Sequence, residues 1–99
     1  MSYVVAATYR AQANEETAVR EALTAMVAPT RGEEGCLEYR AHQSVEDPAV
    51  FFLYERYRNE DAFKVHMATD YFATHIREAT WPRLDSRERV FCEPLGGEE

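Results

Sequence analysis

The stretch AFKVHMATDYFATH, residues 62–75, sets two histidines among Phe, Met and Tyr, with a break between two helical patterns separating them. An imidazole with an unperturbed pKa near about 6.5 exchanges a proton close to neutrality, so either ring could serve as a base. In the first pattern Ala62, Phe63, His66 and Met67 recur at three and four residues and share the inward face. In the second, Phe72, Ile76 and Ala79 form the stripe, while His75 sits at its boundary, above Tyr71 and Phe72 and beside the polar side through Glu78. His66 is therefore expected to face inward and His75 to border solvent. A core histidine hydrogen-bonded to a carbonyl or carboxylate fits the same spacing.

Glu55 is the second unusual residue, a carboxylate within the most apolar segment, VFFLYERY, on the strand face of Phe51, Leu53 and Tyr57. Buried without a partner it would take up a proton or destabilise the fold, and Arg10, Arg40 or His66 could pair with it. Tyr54 falls on the other strand face with Phe52 and Arg56. A structural Glu–Arg or Glu–His pair accounts for the pattern as well as an acid/base role does.

No Gly-rich phosphate loop, GxSxG or HExxH occurs, so any chemistry rests on His, Tyr and Glu side chains. Cys36 and Cys92 lack a CxxC partner and zinc-ligand spacing, so neither metal binding nor a disulfide is expected, and both read as small strand residues. Trp81, before Pro82, reads as an anchor for the last helix.

The elements that must position these groups follow from periodicity. Residues 3–10, YVVAATYR, are β-branched and aromatic and read as a buried strand. Asn14 reads as the N-cap of a helix carrying Ala18, Val19, Ala22, Leu23, Met26 and Val27, ended or kinked by Pro29 and Gly32. Residues 36–45 alternate, with Leu37, Tyr39, Ala41 and Val45 on one face, which suits an edge strand. After the turn signal EDPA, VFFLYERY is apolar on both faces and suits a central one. Asn59 caps a short helix, Asp70 caps another, TWPRLD closes it, and RERVFCEPL is the last strand.

The order β-α-β-β-α(α)-β with right-handed crossovers predicts an α+β, ferredoxin-like split βαβ fold, with an antiparallel sheet in strand order 4-1-3-2. Residues 1–95 are expected to form one domain and 96–99 a flexible acidic tail. Helices cover only one face of such a sheet, yet the first and third strands are apolar on both. A second copy packed sheet to sheet is expected to cover the other face.

Ninety-nine residues with 45% hydrophobic and 29% charged content suit a single small globular domain. A net charge of −7 with no Lys/Arg run argues against a nucleic-acid partner. The acidic runs NEE, GEEG and GGEE read as solvated surface. The N-terminus lacks a charged segment followed by a long apolar one, and no apolar run approaches the ~20 residues that span a bilayer. A cytoplasmic protein with no membrane partner is expected.

The segment PTRGEEGCLEYRAHQSVEDPAVFFLYERYRNEDAFKVHMATDYFATH resembles the antibiotic biosynthesis monooxygenase family. That family shows, in this order, GC-x-x-Y, D-P, Y-E-x-[WY] and H-x-x-[ST]-x-x-F. Here those are Gly35, Cys36 and Tyr39; Asp47 and Pro48; Tyr54, Glu55 and Tyr57; and His66, Thr69 and Phe72. The likeness runs from residue 3 to about residue 93.

The resemblance implies a homodimeric α/β barrel built from ferredoxin-like subunits, each with a pocket between the sheet and the later helices. It also implies an activity among the family's: quinol or anthrone oxygenation without metal or flavin, haem degradation, or isomerisation of a phosphorylated sugar derivative. The haem-degrading branch places an Asn in the first strand, a Trp before the H-x-x-[ST] motif and an iron-binding His after it. Here Thr8 or a neighbour, His66 and Ile76 hold those places. His75 is one residue out of phase, about 100° around a helix, which disfavours haem. A phosphate site would have to come from Arg10, Arg40 and Arg56, which the sequence scatters.

By this resemblance the chain is expected to be a cofactor-independent monooxygenase that uses dioxygen to convert a small electron-rich aromatic, a quinol, phenol or anthrone, to a quinone. The alternative is an isomerase or a non-catalytic ligand-binding dimer of the same fold. His66 would be the base, Glu55 would orient it, and Tyr54 and Tyr71 would donate to the developing oxyanion. Phe52, Phe63, Met67, Phe72 and His75 would line the substrate pocket.

Overall fold

The two-residue period of an extended chain sends Val5, Ala7, Tyr9 and Ala11 of YVVAATYRA to one side of strand β1 (Tyr3–Ala11), all of them buried. The computed structural model describes residues 2–97. Helix α1 (Glu16–Arg31) follows, then β2 (Cys36–Gln43), β3 (Val50–Tyr57) and α2 (Glu60–Met67). The short helix α3 (Asp70–Phe72) runs on as a π-helical stretch, Ala73–Glu78. A 3₁₀ turn, Trp81–Arg83, leads into β4 (Leu84–Cys92).

The four strands lie in the order β2-β3-β1-β4, all antiparallel, which is the expected 4-1-3-2 read from the other edge. The VFFLYERY strand is central and the alternating strand is an edge, as their hydrophobic patterns require. One sheet face packs against the helices, with Val19, Leu23, Met26, Phe72 and Ile76 meeting Ala7, Tyr9, Tyr39, Phe51 and Leu53 in one core. A smaller cluster joins Val5, Tyr57 and Phe63.

Several local expectations shift. Asn14 does not cap α1. It takes a left-handed turn with φ of 71°, and Glu15 precedes the helix without a side-chain cap bond. Asn and Asp tolerate that conformation, so the signal read as a cap marks a turn. Asn59 does cap α2, its side chain accepting from the Ala62 amide at 2.9 Å. The α3 cap is Thr69 rather than Asp70, its hydroxyl accepting from the Phe72 amide at 3.2 Å. Pro29 lies inside the last turn of α1 instead of ending it. An irregularity between Cys36 and Glu38 turns Leu37 outward, and β4 starts at Leu84 and ends at Cys92. The acidic-tail expectation falls partly on residues 98 and 99, which lie outside the described residues.

Gly35 sits where β2 passes under the N-terminal turn of α2. A Cβ there would lie 2.5 Å from the Ala62 Cβ, far inside contact distance. The absence of a side chain lets α2 close onto the sheet, and the Gly35 carbonyl accepts from the Arg58 amide at 2.8 Å. Gly35→Ala should therefore cost about 1–3 kcal/mol by overpacking. Denaturant unfolding checks this, and a loss below about 0.5 kcal/mol would show that α2 has room to move away.

Candidate functional site

His66 is 1% exposed and both ring nitrogens point at carboxylates. Nδ1 lies 2.9 Å from Glu33 Oε2, and Nε2 lies 3.9 Å from Glu55 Oε1. Helix α2 supplies the ring, the connection from α1 to β2 supplies Glu33, and β3 supplies Glu55. Each carboxylate has a tyrosine: Tyr57 donates to Glu55 Oε1 at 2.6 Å, and Tyr71 donates to Glu33 Oε2. The sequence of contacts Tyr71–Glu33–His66–Glu55–Tyr57 runs from a half-buried hydroxyl into the core. Aromatic rings enclose it, with Phe72 edge-on to the imidazole at 5.2 Å and Tyr57 and Phe63 at 5.3 and 6.1 Å between centroids.

Burial dominates the protonation of this group. It pushes the Glu55 carboxyl up to about 7, against the opposing Tyr57 hydrogen bond and the Arg89 charge. It lowers His66 below the ordinary imidazole range, although the Glu33 hydrogen bond and charge act the other way. Burial also raises Tyr57 far above its usual range, with the Glu55 charge adding to it, and pushes Tyr71 up to about 12 with help from Glu33. The resting arrangement is thus a neutral imidazole whose Nδ1–H donates to Glu33. Its Nε2 keeps a lone pair beside a carboxyl poised near neutrality.

The expected site residues divide between the two sheet faces. His66, Glu55, Tyr71, Phe63, Met67 and Phe72 come together on the helix side. Tyr54 and Phe52 do not join them, because odd-numbered positions of β3 face the helices and even-numbered ones face away. His75 is half-buried on the π-helical stretch, where its carbonyl accepts from the Thr80 hydroxyl at 2.7 Å, and its ring has no contact with the His66 group. Ile76, not His75, faces the core.

Of the partners considered for Glu55, Arg10 pairs with Asp47 and Arg40 pairs with Glu38, so the tyrosine and His66 remain. Arg56 shares Glu38 at 3.8 Å, so no phosphate cradle forms from these three. Glu33 was hidden in the run GEEG, which reads as solvated surface. Its side chain is in fact 11% exposed. The Trp81 indole N–H is buried and faces the Tyr9 hydroxyl, whose pKa it lowers against the burial that raises it. Cys36 and Cys92 are free thiols, and burial pushes Cys36 up to about 11, so it stays protonated at neutral pH.

The family model described as antibiotic biosynthesis monooxygenase matches residues 2–78. The chain belongs to this family. The Mycobacterium tuberculosis protein named "Putative monooxygenase Rv0793" is 32% identical over 71 residues, spanning 72% of this chain and 69% of that protein. The solved structure of Rv0793 superposes with a TM-score of 0.89 at 25% identity over the whole of both chains. PA3566 of Pseudomonas aeruginosa superposes at 0.86 with 30% identity, covering 96% of this chain and 95% of its own.

The residues by which the chain resembles the antibiotic biosynthesis monooxygenases now have physical roles. Gly35 admits α2, Tyr57 holds Glu55, Thr69 caps α3, and Phe72 packs against the His66 ring. Asp47 closes the β2–β3 turn through the Ala49 amide and Arg10. No helix of the described residues is long and apolar enough to cross a membrane.

Glu55 binds its proton more tightly folded than unfolded. Between its ordinary value of 4.5 and about 7 the folded state holds more protons, so stability falls as pH rises through that window. Above it, the ionised side chain costs the fold about 3 kcal/mol at about 1.36 kcal/mol per unit. The lowered His66 works in the opposite sense, its contribution being present above about pH 6.5 and lost as pH falls, so variant and wild type must be compared at each pH. Relative to wild type, Glu55→Gln should gain about 2–3 kcal/mol between pH 5 and pH 8 in denaturant melts. A difference independent of pH would show that Glu55 titrates normally.

Proposed function

We propose that this protein is a cofactor-independent monooxygenase that converts an electron-rich phenolic aromatic, a quinol, phenol or anthrone, to a quinone with dioxygen. The observation that carries this reading is the neutral, buried imidazole of His66. It is hydrogen-bonded through Nδ1 to Glu33 and turns Nε2 toward the Glu55 carboxyl, 3.9 Å away, inside a ring of aromatic side chains. Dioxygen is a triplet and reacts slowly with a neutral closed-shell aromatic, whereas an aromatic anion gives up an electron readily. A phenol of pKa near 10 costs about 4 kcal/mol to ionise at pH 7, which a placed base supplies.

His66 takes the proton at Nε2, and the imidazolium then lies between the Glu33 and Glu55 carboxyls. The anion passes one electron to dioxygen, the two radicals combine, and a carbon–oxygen bond forms. Cleavage of the oxygen–oxygen bond, with the second hydrogen leaving the same carbon, releases water and leaves a carbonyl. For an anthrone the balance is R₂CH₂ + O₂ → R₂C=O + H₂O, with both hydrogens leaving in the water. Phe63, Met67 and Phe72 form the apolar wall between this base and solvent and shift to admit the flat substrate. Tyr71 is committed to Glu33 and steadies it.

Tyr54 and Phe52 belong, in this reading, to a dimer interface. The helix-free face carries Val4, Ala6, Phe52, Val90 and Cys92, of which Phe52 is 40% and Val90 56% exposed. A second copy covers it sheet to sheet, burying more than the about 1,200 Å² expected of a stable interface. Light scattering should give twice the chain mass down to nanomolar concentration, and a monomer that persists at micromolar concentration would exclude this interface.

The experiment for the activity follows oxygen uptake across a panel of quinols and anthrones, with metals chelated and no flavin added. His66→Gln should lower turnover per folded molecule by ~10²–10⁴-fold and remove the limb of the pH–rate profile near neutrality. A variant that is destabilised yet turns over normally per folded molecule would reduce His66 to a core residue.

A further inference from the structure

Glu33 is the one member of the His66 group that comes from a connecting segment, and both donors that reach its carboxylate meet on a single oxygen. Oε2 lies 2.9 Å from His66 Nδ1 and also accepts from the Tyr71 hydroxyl. Among the described residues no arginine or lysine pairs with Glu33, so its ion-pair partner is the imidazole. The two donors come from different elements, the ring from α2 and the hydroxyl from α3, whose first turn is set by the Thr69 cap.

A phenolic hydroxyl has one proton to give. For Tyr71 the acceptors within reach are Glu33 Oε2 and the Pro29 carbonyl, which at 3.4 Å is a weak partner. The proton therefore goes to Glu33, and Tyr71 does not serve as the oxyanion donor that the family resemblance implies. What it does instead follows from the shared oxygen. A carboxylate bonded to an imidazole alone draws the ring toward its charged form, because its whole charge faces the Nδ1–H. A second strong donor on the same oxygen stabilises that charge independently, so the imidazolium gains less from the contact. The ring keeps its orientation and loses basicity.

We infer that Tyr71 is a positioning residue that sets the base strength of His66 by sharing the Glu33 oxygen to which the imidazole Nδ1–H is bound. The inference rests on the proposed oxygenase reading for the use made of that base, and the coupling of Tyr71 to His66 stands apart from it. A base that takes a proton from a phenol near neutral pH must be uncharged there and correctly turned. Glu33 fixes the tautomer, and Tyr71 keeps Glu33 from charging the ring.

Other titratable groups face this pair from the elements packed around it. Glu55 of β3 lies beside Nε2 and holds the Tyr57 hydroxyl, and Arg89 of β4 acts on Glu55. The Tyr39 ring of β2 lies 5.8 Å from the imidazole, and Arg31, at the end of α1, donates to the Tyr39 carbonyl at 3.0 Å. Cys36, at the start of β2, faces Glu33 and Tyr71. Burial holds the Tyr39 and Tyr57 hydroxyls and the Cys36 thiol protonated at neutral pH, so of these acids Glu55 alone changes charge between about pH 5 and pH 8.

The test is a ¹⁵N titration of the His66 imidazole in a Glu55→Gln background, which removes that neighbour's charge change. Tyr71→Phe keeps the aromatic ring and deletes the hydroxyl. It should move the His66 midpoint upward by about 0.5–1 pH unit, with the Nδ1–H tautomer retained in the neutral ring. Water admitted by looser packing would also raise the midpoint, so the same substitution is repeated together with Glu33→Gln. There Tyr71→Phe should leave the midpoint within about 0.2 unit, because the hydroxyl acts through the carboxylate. An unchanged or lowered midpoint in Tyr71→Phe, or an equal upward shift with and without the Glu33 carboxylate, would overturn the inference. The neutral limb of the pH–rate profile for quinol or anthrone oxidation, measured on the same preparations, should move with the imidazole midpoint. A limb that stays in place while the midpoint moves as expected would uphold the role of Tyr71 and count against the oxygenase reading alone.

Discussion

A histidine taken out of water between two carboxylates is the constraint around which this fold is arranged. Desolvation disfavours every charged form in the group, so ionised Glu33 and Glu55 can both lie beside the ring only at high cost. The protein meets this by giving each carboxylate a tyrosine hydroxyl and by letting Glu55 keep its proton until about pH 7. It also draws one component from each of three distant segments, the connection from α1 to β2, the second half of β3 and helix α2. Those segments meet only if α2 lies close on β2, which Gly35 permits. Packing and protonation are therefore one problem here, because the same close approach of α2 that Gly35 permits is what buries the His66 ring.

The site and the apolar faces follow from the same sheet. Period-two alternation in β3 sends Glu55 and Tyr57 under the helices and Phe52 and Tyr54 to the bare side. One face thus holds a polar cluster sealed by aromatic rings, and the other holds exposed hydrophobic surface. On the helix side coverage stops short of β4, so arginines that would otherwise be buried stand open beside Trp81 and Phe63.

Much of this was legible in the residues. The β-α-β-β-α-β order, the central position of VFFLYERY, the Asn59 cap and the inward phase of His66 all rest on periodicity over several residues, where local signals agree with tertiary packing. The faces of Glu55 and Tyr54 were distinguishable, but which face the helices would roof was not, because both are apolar. Glu33 was invisible for a different reason: a carboxylate between glycines in an acidic run has the composition of a solvated loop, and only the approach of α2 and Tyr71 buries it. Asn14 misled because the same side chain suits a cap and a left-handed turn. The π-helical winding of Ala73–Glu78 departs from a fixed 100° step per residue, yet Phe72 and Ile76 are buried and His75 is half-buried, as their spacing indicated.

The most direct test of this account is the protonation state of the His66 ring itself, read from ¹⁵N shifts of the imidazole in the folded protein as pH is varied. A neutral ring at pH 7, protonated on Nδ1 and titrating below about 6.5, is the expected result, because burial outweighs the attraction of Glu33. In Glu33→Gln the same ring should titrate lower still. An imidazolium at pH 7, or a neutral ring carrying its proton on Nε2, would contradict the claim that His66 is a proton acceptor held ready by Glu33.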